Sequence, residues 1–314
     1  MNSIANDNAG NHRATNDGIE NNGIGANSGE VSAFFPTATI AIIGLGLMGG
    51  SLALALRGIC AHLLGFDHDP AVVKLALERQ IVEVATLDLG ELLPQADLVV
   101  IAVPVRASLE ILHRLPDLHP GSPIVIDLGS SKEAVLEAMA ALPMRFDPLG
   151  GHPMCGKETG TLANAQADLY RQAPFALVPL RRTTPLARQI AGELVALLGA
   201  QPLWLEAAEH DRWVAATSHL PHLLATALVL STPFECAPLA GPGFRSTSRL
   251  AAGSAEMKID IFATNRSAIL EALTRFRGQL DTLEDYLRQD DLEAMQRSLA
   301  LGAVRRQVFL TEER

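Results

Sequence analysis

Three glycines spaced Gly44-x-Gly46-x-x-Gly49 follow the apolar run Thr39-Ile40-Ala41-Ile42-Ile43 and precede a helical stretch over residues 51–57. Few local patterns restrict a fold as tightly. The glycines permit a tight turn and close backbone approach, and the start of the helix presents free N–H groups to an anion such as a pyrophosphate. The chain that follows agrees with a strand–loop–helix beginning. Residues 62–66, 97–103 and 123–127 read as further strands, and helical stretches over 70–79 and 132–141 lie between them. Pro70 suits a first helical position and Asp69 its N-cap. Alternation of this kind implies a parallel sheet covered on both faces.

A strand over 174–179, a helix over 185–198 and a closing strand over 201–205 continue the pattern, after which strand signals vanish. Residues 209–230 read as one long apolar helix that Pro221 should bend. Residues 265–287 and 291–309 read as amphipathic helices, the first with Leu270, Leu273, Phe276, Leu280 and Leu283 at helical spacing. The expected fold class is α/β, a Rossmann-type doubly wound parallel sheet followed by an all-α C-terminal dimerisation domain. Its divisions are a tail (1–36), a dinucleotide-binding domain (37–206) and a helical substrate and dimerisation domain (207–314). One small domain cannot bury such apolar helices alone, so a homodimer is expected.

The tail, rich in Asn, Gly, Asp and Ser, buries too little apolar surface to offset its ordering entropy and is expected to be disordered. A formal net charge of −10 argues against a nucleic-acid surface, which needs clustered cations. Cys60, Cys155 and Cys236 form no Cys-x-x-Cys pair and suggest free thiols in a reducing compartment. No apolar run approaches the roughly 18 residues of a membrane span, and no signal peptide opens the chain. A cytoplasmic protein with no membrane association is the expectation.

Candidate chemistry gathers beyond the carboxyl ends of the strands, where open parallel sheets bind ligands. Gly44, Gly46, Leu47, Met48 and Gly49 form the cradle. Asp67, ending the second strand, can accept bonds from ribose hydroxyls and would repel a 2′-phosphate, which favours NAD over NADP. Val103-Pro104 and Asp127-Leu128-Gly129-Ser130-Ser131-Lys132 follow later strands. Ser130 either hydrogen-bonds a ligand or caps the next helix. His152, within Gly150-Gly151-His152-Pro153-Met154-Cys155-Gly156-Lys157-Glu158, lies at the same edge, and its imidazole can take an alcohol proton near neutral pH. His219 and His222 stand three apart on the long helix. With no Glu to complete a zinc helix, they read as substrate contacts or core histidines, and no metal is expected. Arg249 or Arg245 can grip a carboxylate through two parallel bonds, and spacing does not choose between them.

Taken together, these residues resemble the prephenate/arogenate dehydrogenase family of tyrosine biosynthesis over roughly residues 38–310. The matching motifs are Gly151-His152-Pro153-Met154 with Gly156 and Glu158, His210-Asp211, Ser218-His219-Leu220-Pro221-His222, Gly243-Phe244-Arg245 through Arg249, and Asp260-Ile261-Phe262 with Asn265-Arg266. The resemblance implies an NAD-dependent oxidative decarboxylation of prephenate or arogenate. It implies His152 as base on the ring hydroxyl, Ser130 bonding that hydroxyl, and Arg249 on a substrate carboxylate. His219 and His222 would line the pocket, with Glu158 near its mouth, and the dimer would form through the helical domain. Two positions depart from the family pattern: Ser246 replaces an acidic residue and Lys258 a tryptophan. Together they are expected to disfavour the ammonium of arogenate. Alternatives are a relative acting on an amino-substituted prephenate, a β-hydroxyacid dehydrogenase, and an NAD-binding sensor without turnover. The second would need a catalytic lysine within 209–230, where none stands.

Overall fold

The computed structural model describes residues 33–157 and 159–311. It opens with one helical turn, α1 (Phe34–Thr37), whose Phe35 is buried, so order begins inside the segment assigned from sequence to the tail. The rest of that tail, residues 1–32, lies outside the described residues. The chain continues through β1 (Thr39–Ile43), α2 (Leu47–Leu56), β2 (His62–Phe66), α3 (Pro70–Glu78), β3 (Val84–Thr86) and α4 (Leu89–Leu92). Next come β4 (Leu98–Ile101), α5 (Val105–Leu118), β5 (Ile124–Asp127), α6 (Glu133–Ala140) and β6 (Asp147–Pro153). β7 (Pro174–Pro179), α7 (Pro185–Leu197) and β8 (Gln201–Trp204) complete the sheet.

Strand order is β3-β2-β1-β4-β5-β6-β7-β8. The order reverses between β1 and β4, which puts the glycine loop at the topological switch point. Pairing is parallel throughout except at β6–β7, which is antiparallel. The doubly wound parallel sheet expected from sequence is thus present, with one antiparallel pair added. A parallel partner needs a crossover helix, and among the described residues only the short turn Leu162–Asn164 stands between β6 and β7. α7 supplies a crossover afterwards, so β8 runs parallel to β7.

Alternation along the strands builds two cores. Ile40 and Ile42 pack with Leu52 and Leu56 of α2 and Ile190 and Leu194 of α7 on one face. Ala41 and Ile43 pack with Leu112 and Leu115 of α5 and Val135 and Met139 of α6 on the other. Burial on both faces explains the near-continuous apolar strands.

Among the described residues only helices and turns follow β8: α8 (Ala207–Val214), α9 (Leu220–Ser231), α10 (Pro242–Ser248), α11 (Ala255–Thr264), α12 (Arg266–Arg288) and α13 (Leu292–Thr311). The expected long helix is α8 and α9 joined by a π turn, Ala215–His219. Pro221 has no N–H to give the carbonyl four residues back, and the helix widens there. By length and composition Ala207–Ser231 could cross a membrane, contrary to the expectation that no such segment exists. That expectation counted uninterrupted apolar residues and so passed over a helix with scattered polar ones. The buried face of α12 also differs from the expected stripe. Ala268, Ile269 and Ala272 are buried, whereas Leu270 and Leu280 are exposed.

Candidate active site

At the switch point the glycines are required by geometry. Gly44 has φ +94°, and a Cβ there would lie 2.6 Å from the Ala102 carbonyl oxygen and from Val103 Cγ1. A Cβ on Gly49 would lie 1.8 Å from the Gly44 carbonyl oxygen. Gly46 stands at the N-cap of α2 with no side-chain cap, so backbone donors at the helix start face outward from the sheet edge. Asp67 is buried there, its Oδ2 accepting from Leu45 N at 2.9 Å and its Oδ1 from Asp69 N at 3.0 Å. A carboxylate has lone pairs left for further donors. Pro104 caps α5 beside Val103. Leu47 begins α2 and donates its amide to the Gly160 carbonyl at 2.9 Å, and Met48 accepts from Tyr170 Oη at 2.7 Å. The segment after β6 therefore lies against the glycine loop. A blocked-Cβ cradle, a helix start with no side-chain cap and a carboxylate at the end of β2 fit a dinucleotide.

Beyond β5 and β6 lies a buried polar chain. His152 is 9% exposed, and its Nδ1 is 2.9 Å from His210 Nε2. His210 Nδ1 is 2.7 Å from Asp211 Oδ1. Asp211 Oδ1 accepts from Lys132 N at 2.7 Å and Oδ2 from Glu133 N at 3.0 Å, so a residue of α8 caps the N-terminus of α6. Ser130 is thus not that cap; it is partly exposed on the loop before α6. Lys132 is fully buried, pairs with Asp127 and donates to the Gly151 carbonyl at 2.8 Å. Gly150 makes room for its stem, since a Cβ there would lie 3.0 Å from Lys132 Cδ. Burial lowers the Lys132 pKa while Asp127 pulls it back up. Lys132 thereby ties the Ser130 loop to β5 through Asp127 and, through the Gly151 carbonyl, to the strand that carries His152.

The histidine of the π turn joins this chain. Asn265 Nδ2 donates to the Asp211 carbonyl at 2.8 Å and lies 3.1 Å from His219 Nδ1. An amide nitrogen that donates to a carbonyl is the NH₂ end, so His219 Nδ1 accepts and Nε2 bears the hydrogen. That Nε2 is buried without a partner among the described residues. Burial, ahead of the opposing Asp211 charge, pushes the His219 pKa down to about 4. Burial also drives His152 well below the ordinary histidine value, and His210, Lys132 and His219 add to it.

His222 Nδ1 is 3.2 Å from the Leu250 carbonyl oxygen, in the short turn Arg249–Ala252. Lys258 donates to that carbonyl at 2.9 Å and to Ala251 at 3.1 Å. Its side chain is buried. Arg245 Nε donates to the Ala240 carbonyl at 3.1 Å, whereas Arg249 heads the turn that His222 and Lys258 hold. Glu158 lies outside the described residues. His152, His219 and the Ser130 loop therefore share one hydrogen-bonded framework, and His222 and Lys258 hold the turn that Arg249 heads. Sequence reasoning gave no role to Lys132 or Asp127 and took His210-Asp211 and Asn265 only as parts of matching motifs. A His-Asp pair opening a helix after the last strand was the available signal.

Residues 52–203 match the family model described as prephenate dehydrogenase, nucleotide-binding domain, and residues 206–301 the one described as prephenate dehydrogenase, dimerization domain. The chain is 31% identical over 267 residues to the prephenate dehydrogenase of Bacillus subtilis, covering 81% of this chain and 71% of that protein. It is similar to the crystal structure of prephenate dehydrogenase from A. aeolicus in complex with hydroxyphenyl propionate and NAD+. The TM-score is 0.81 and the identity 26%, over 88% of this chain and 99% of that one. Against Synechocystis arogenate dehydrogenase the TM-score is 0.76 and the identity 29%, over 86% and 99% of the two chains.

Proposed function

The chain belongs to the prephenate dehydrogenase family, and on that premise we propose that it carries out the NAD-dependent oxidative decarboxylation of prephenate, arogenate or both, with His152 as base. One observation carries the residue assignment. His152 stands at the ligand edge of the sheet, neutral by burial, in one hydrogen-bonded framework with the Ser130 loop and His219.

Gly44, Gly46, Leu47, Met48, Gly49, Val103 and Pro104 would hold the cofactor, with Asp67 on its ribose. Bound NAD supplies the acceptor for the hydride that leaves the carbinol carbon. His152 takes the hydroxyl proton, and Ser130 orients that hydroxyl. His219 offers its unpartnered Nε2–H to a substrate oxygen, where a buried donor gains most from a partner. Arg249 grips a carboxylate bidentately, with His222 bracing its turn and Glu158 near the mouth. The ring carboxylate opposite the carbinol departs as carbon dioxide, and aromatisation drives the step. Alignment supplies several kcal/mol and general-base help about 10²–10⁴-fold.

Asp67 disfavours a 2′-phosphate, so NAD is preferred over NADP. Ser246 leaves no carboxylate for the ammonium of arogenate, and the Lys258 ammonium is buried beneath the Arg249 turn. Both favour prephenate. We place the division between nucleotide-binding and helical parts at 206/207 and assign a homodimer through the latter. The polar groups of Ala207–Ser231, among them His210, Asp211 and His219, are engaged in the site. That supports an internal helix of a cytoplasmic enzyme. NADH or NADPH formation with each substrate and each cofactor tests the reading. The highest kcat/KM is expected with prephenate and NAD+. A higher value for arogenate overturns the substrate assignment, and no turnover with either substrate overturns the function.

A further inference from the structure

We propose that His210 and Asp211 act as a positioning dyad that fixes the tautomer of His152, with the hydrogen on Nδ1 and the reactive lone pair on Nε2. The inference rests on His152 being the base and adds which atom acts and what holds it there. Its polarity is set at Asp211. Both carboxylate oxygens accept backbone hydrogens from the first turn of α6, at 2.7 Å from Lys132 N and 3.0 Å from Glu133 N. With both oxygens already taking fixed backbone donors at a helix start, this carboxylate serves as an acceptor. A carboxylate only accepts, so His210 Nδ1, 2.7 Å away, is the donor. With its ring hydrogen on Nδ1, His210 has its lone pair on Nε2, and His152 Nδ1 at 2.9 Å donates to it. His152 Nε2 is left with its lone pair and no hydrogen-bond partner among the described residues.

The dyad does a second task once the proton arrives. The hydroxyl O–H breaks, its electron pair stays on oxygen, and a new N–H forms at His152 Nε2. The charged groups facing His152 pull in opposite directions. Lys132, from the loop before α6, and His219, from the π turn, oppose a positive imidazole. Asp127 offsets Lys132 through their ion pair. From α8, His210 also opposes a positive His152, but its ring, oriented by the Asp211 carboxylate, accepts the Nδ1 hydrogen and so supports the imidazolium. This is how an outer carboxylate raises the basicity of a histidine it orients.

Two measurements test the dyad. In ¹⁵N-labelled unliganded enzyme, long-range ¹⁵N–¹H correlation separates the two neutral tautomers, and the His152 signals are those lost in His152→Asn. The Nδ1–H form is expected in the wild type and a mixed population in His210→Leu. In kinetics, His210→Leu should lower kcat on the order of 10²-fold, with substrate KM and NAD affinity changed less than about 3-fold. The acid limb of its kcat/KM profile should move to lower pH. His210→Gln places an amide oxygen near the lost Nε2 and should recover kcat to within about 10-fold of wild type. An Nε2–H tautomer in the wild type overturns the proposal, as does full activity in His210→Leu or equal loss in both variants. If His210→Leu does not fold, the wild-type tautomer and His210→Gln still decide. Full activity in His152→Asn would instead sink the base assignment and leave the tautomer result standing.

Discussion

In residues 39–204 the side chains Ile40 and Ile42 vanish into one core and Ala41 and Ile43 into another. In residues 207–311 the buried apolar cluster is Ala215, Leu220, Ala268, Ile269 and Ala272, while Phe234 and Leu239 are about nine-tenths exposed. α13 exposes Leu299, Leu301, Val304, Val308 and Phe309. The sheet half satisfies its own apolar pattern, and the helical half needs a second surface. The two halves also divide the polar work. The sheet half provides the cradle and the His152 strand, and the helical half reaches back with Asp211, Asn265 and His219 to cap and brace them. A site at that seam is ordered only when both halves are in place.

The most severe break is expected inside the sheet half. Lys132→Met removes one member of a fully buried ion pair and leaves Asp127 charged and uncompensated. It should destabilise by about 3–5 kcal/mol, read from urea unfolding. A loss under about 1 kcal/mol would mean that Lys132 is not what ties the Ser130 loop to β5 and β6. A smaller break concerns the apolar helices. Leu301→Glu with Val308→Glu should turn a dimer into a monomer in sedimentation experiments. Such surface changes should alter protomer stability by only about 0.5 kcal/mol. A wild type that sediments as a monomer would contradict the need for a second surface.

The smallest effect sharpens the seam through pH. His219 titrates at about 4 in the folded chain and near 6.5 when unfolded. Between those values the unfolded state binds more protons. The stability present above about pH 6.5 is therefore lost as pH falls toward about 4. His152 acts in the same direction. Urea midpoints across that window should fall less steeply in His219→Gln than in the wild type. Identical slopes would show that His219 is not held neutral.

Local patterns made much of this legible. The glycine spacing, the strand runs and the Asp69–Pro70 helix start each express a short-range rule, and each appears where the sequence puts it. The antiparallel β7 was hidden because strand direction follows from a missing crossover helix, which no residue in β7 announces. Pro221 foretold a bend but not the π turn that brings His219 to Asn265. Lys132 read as one more loop residue, because its role depends on Asp127 and on the glycines of β6 lying beside it. His210 and Asp211 become part of a site only when α8 packs against the start of α6.

The central claim is that His152 does the proton chemistry while the cradle binds cofactor independently. Turnover of prephenate by His152→Asn, measured beside NAD affinity from fluorescence titration, tests it most directly. The account predicts a fall in kcat of about 10²–10⁴-fold with NAD affinity within about 2-fold of wild type. Undiminished turnover in that variant would contradict it.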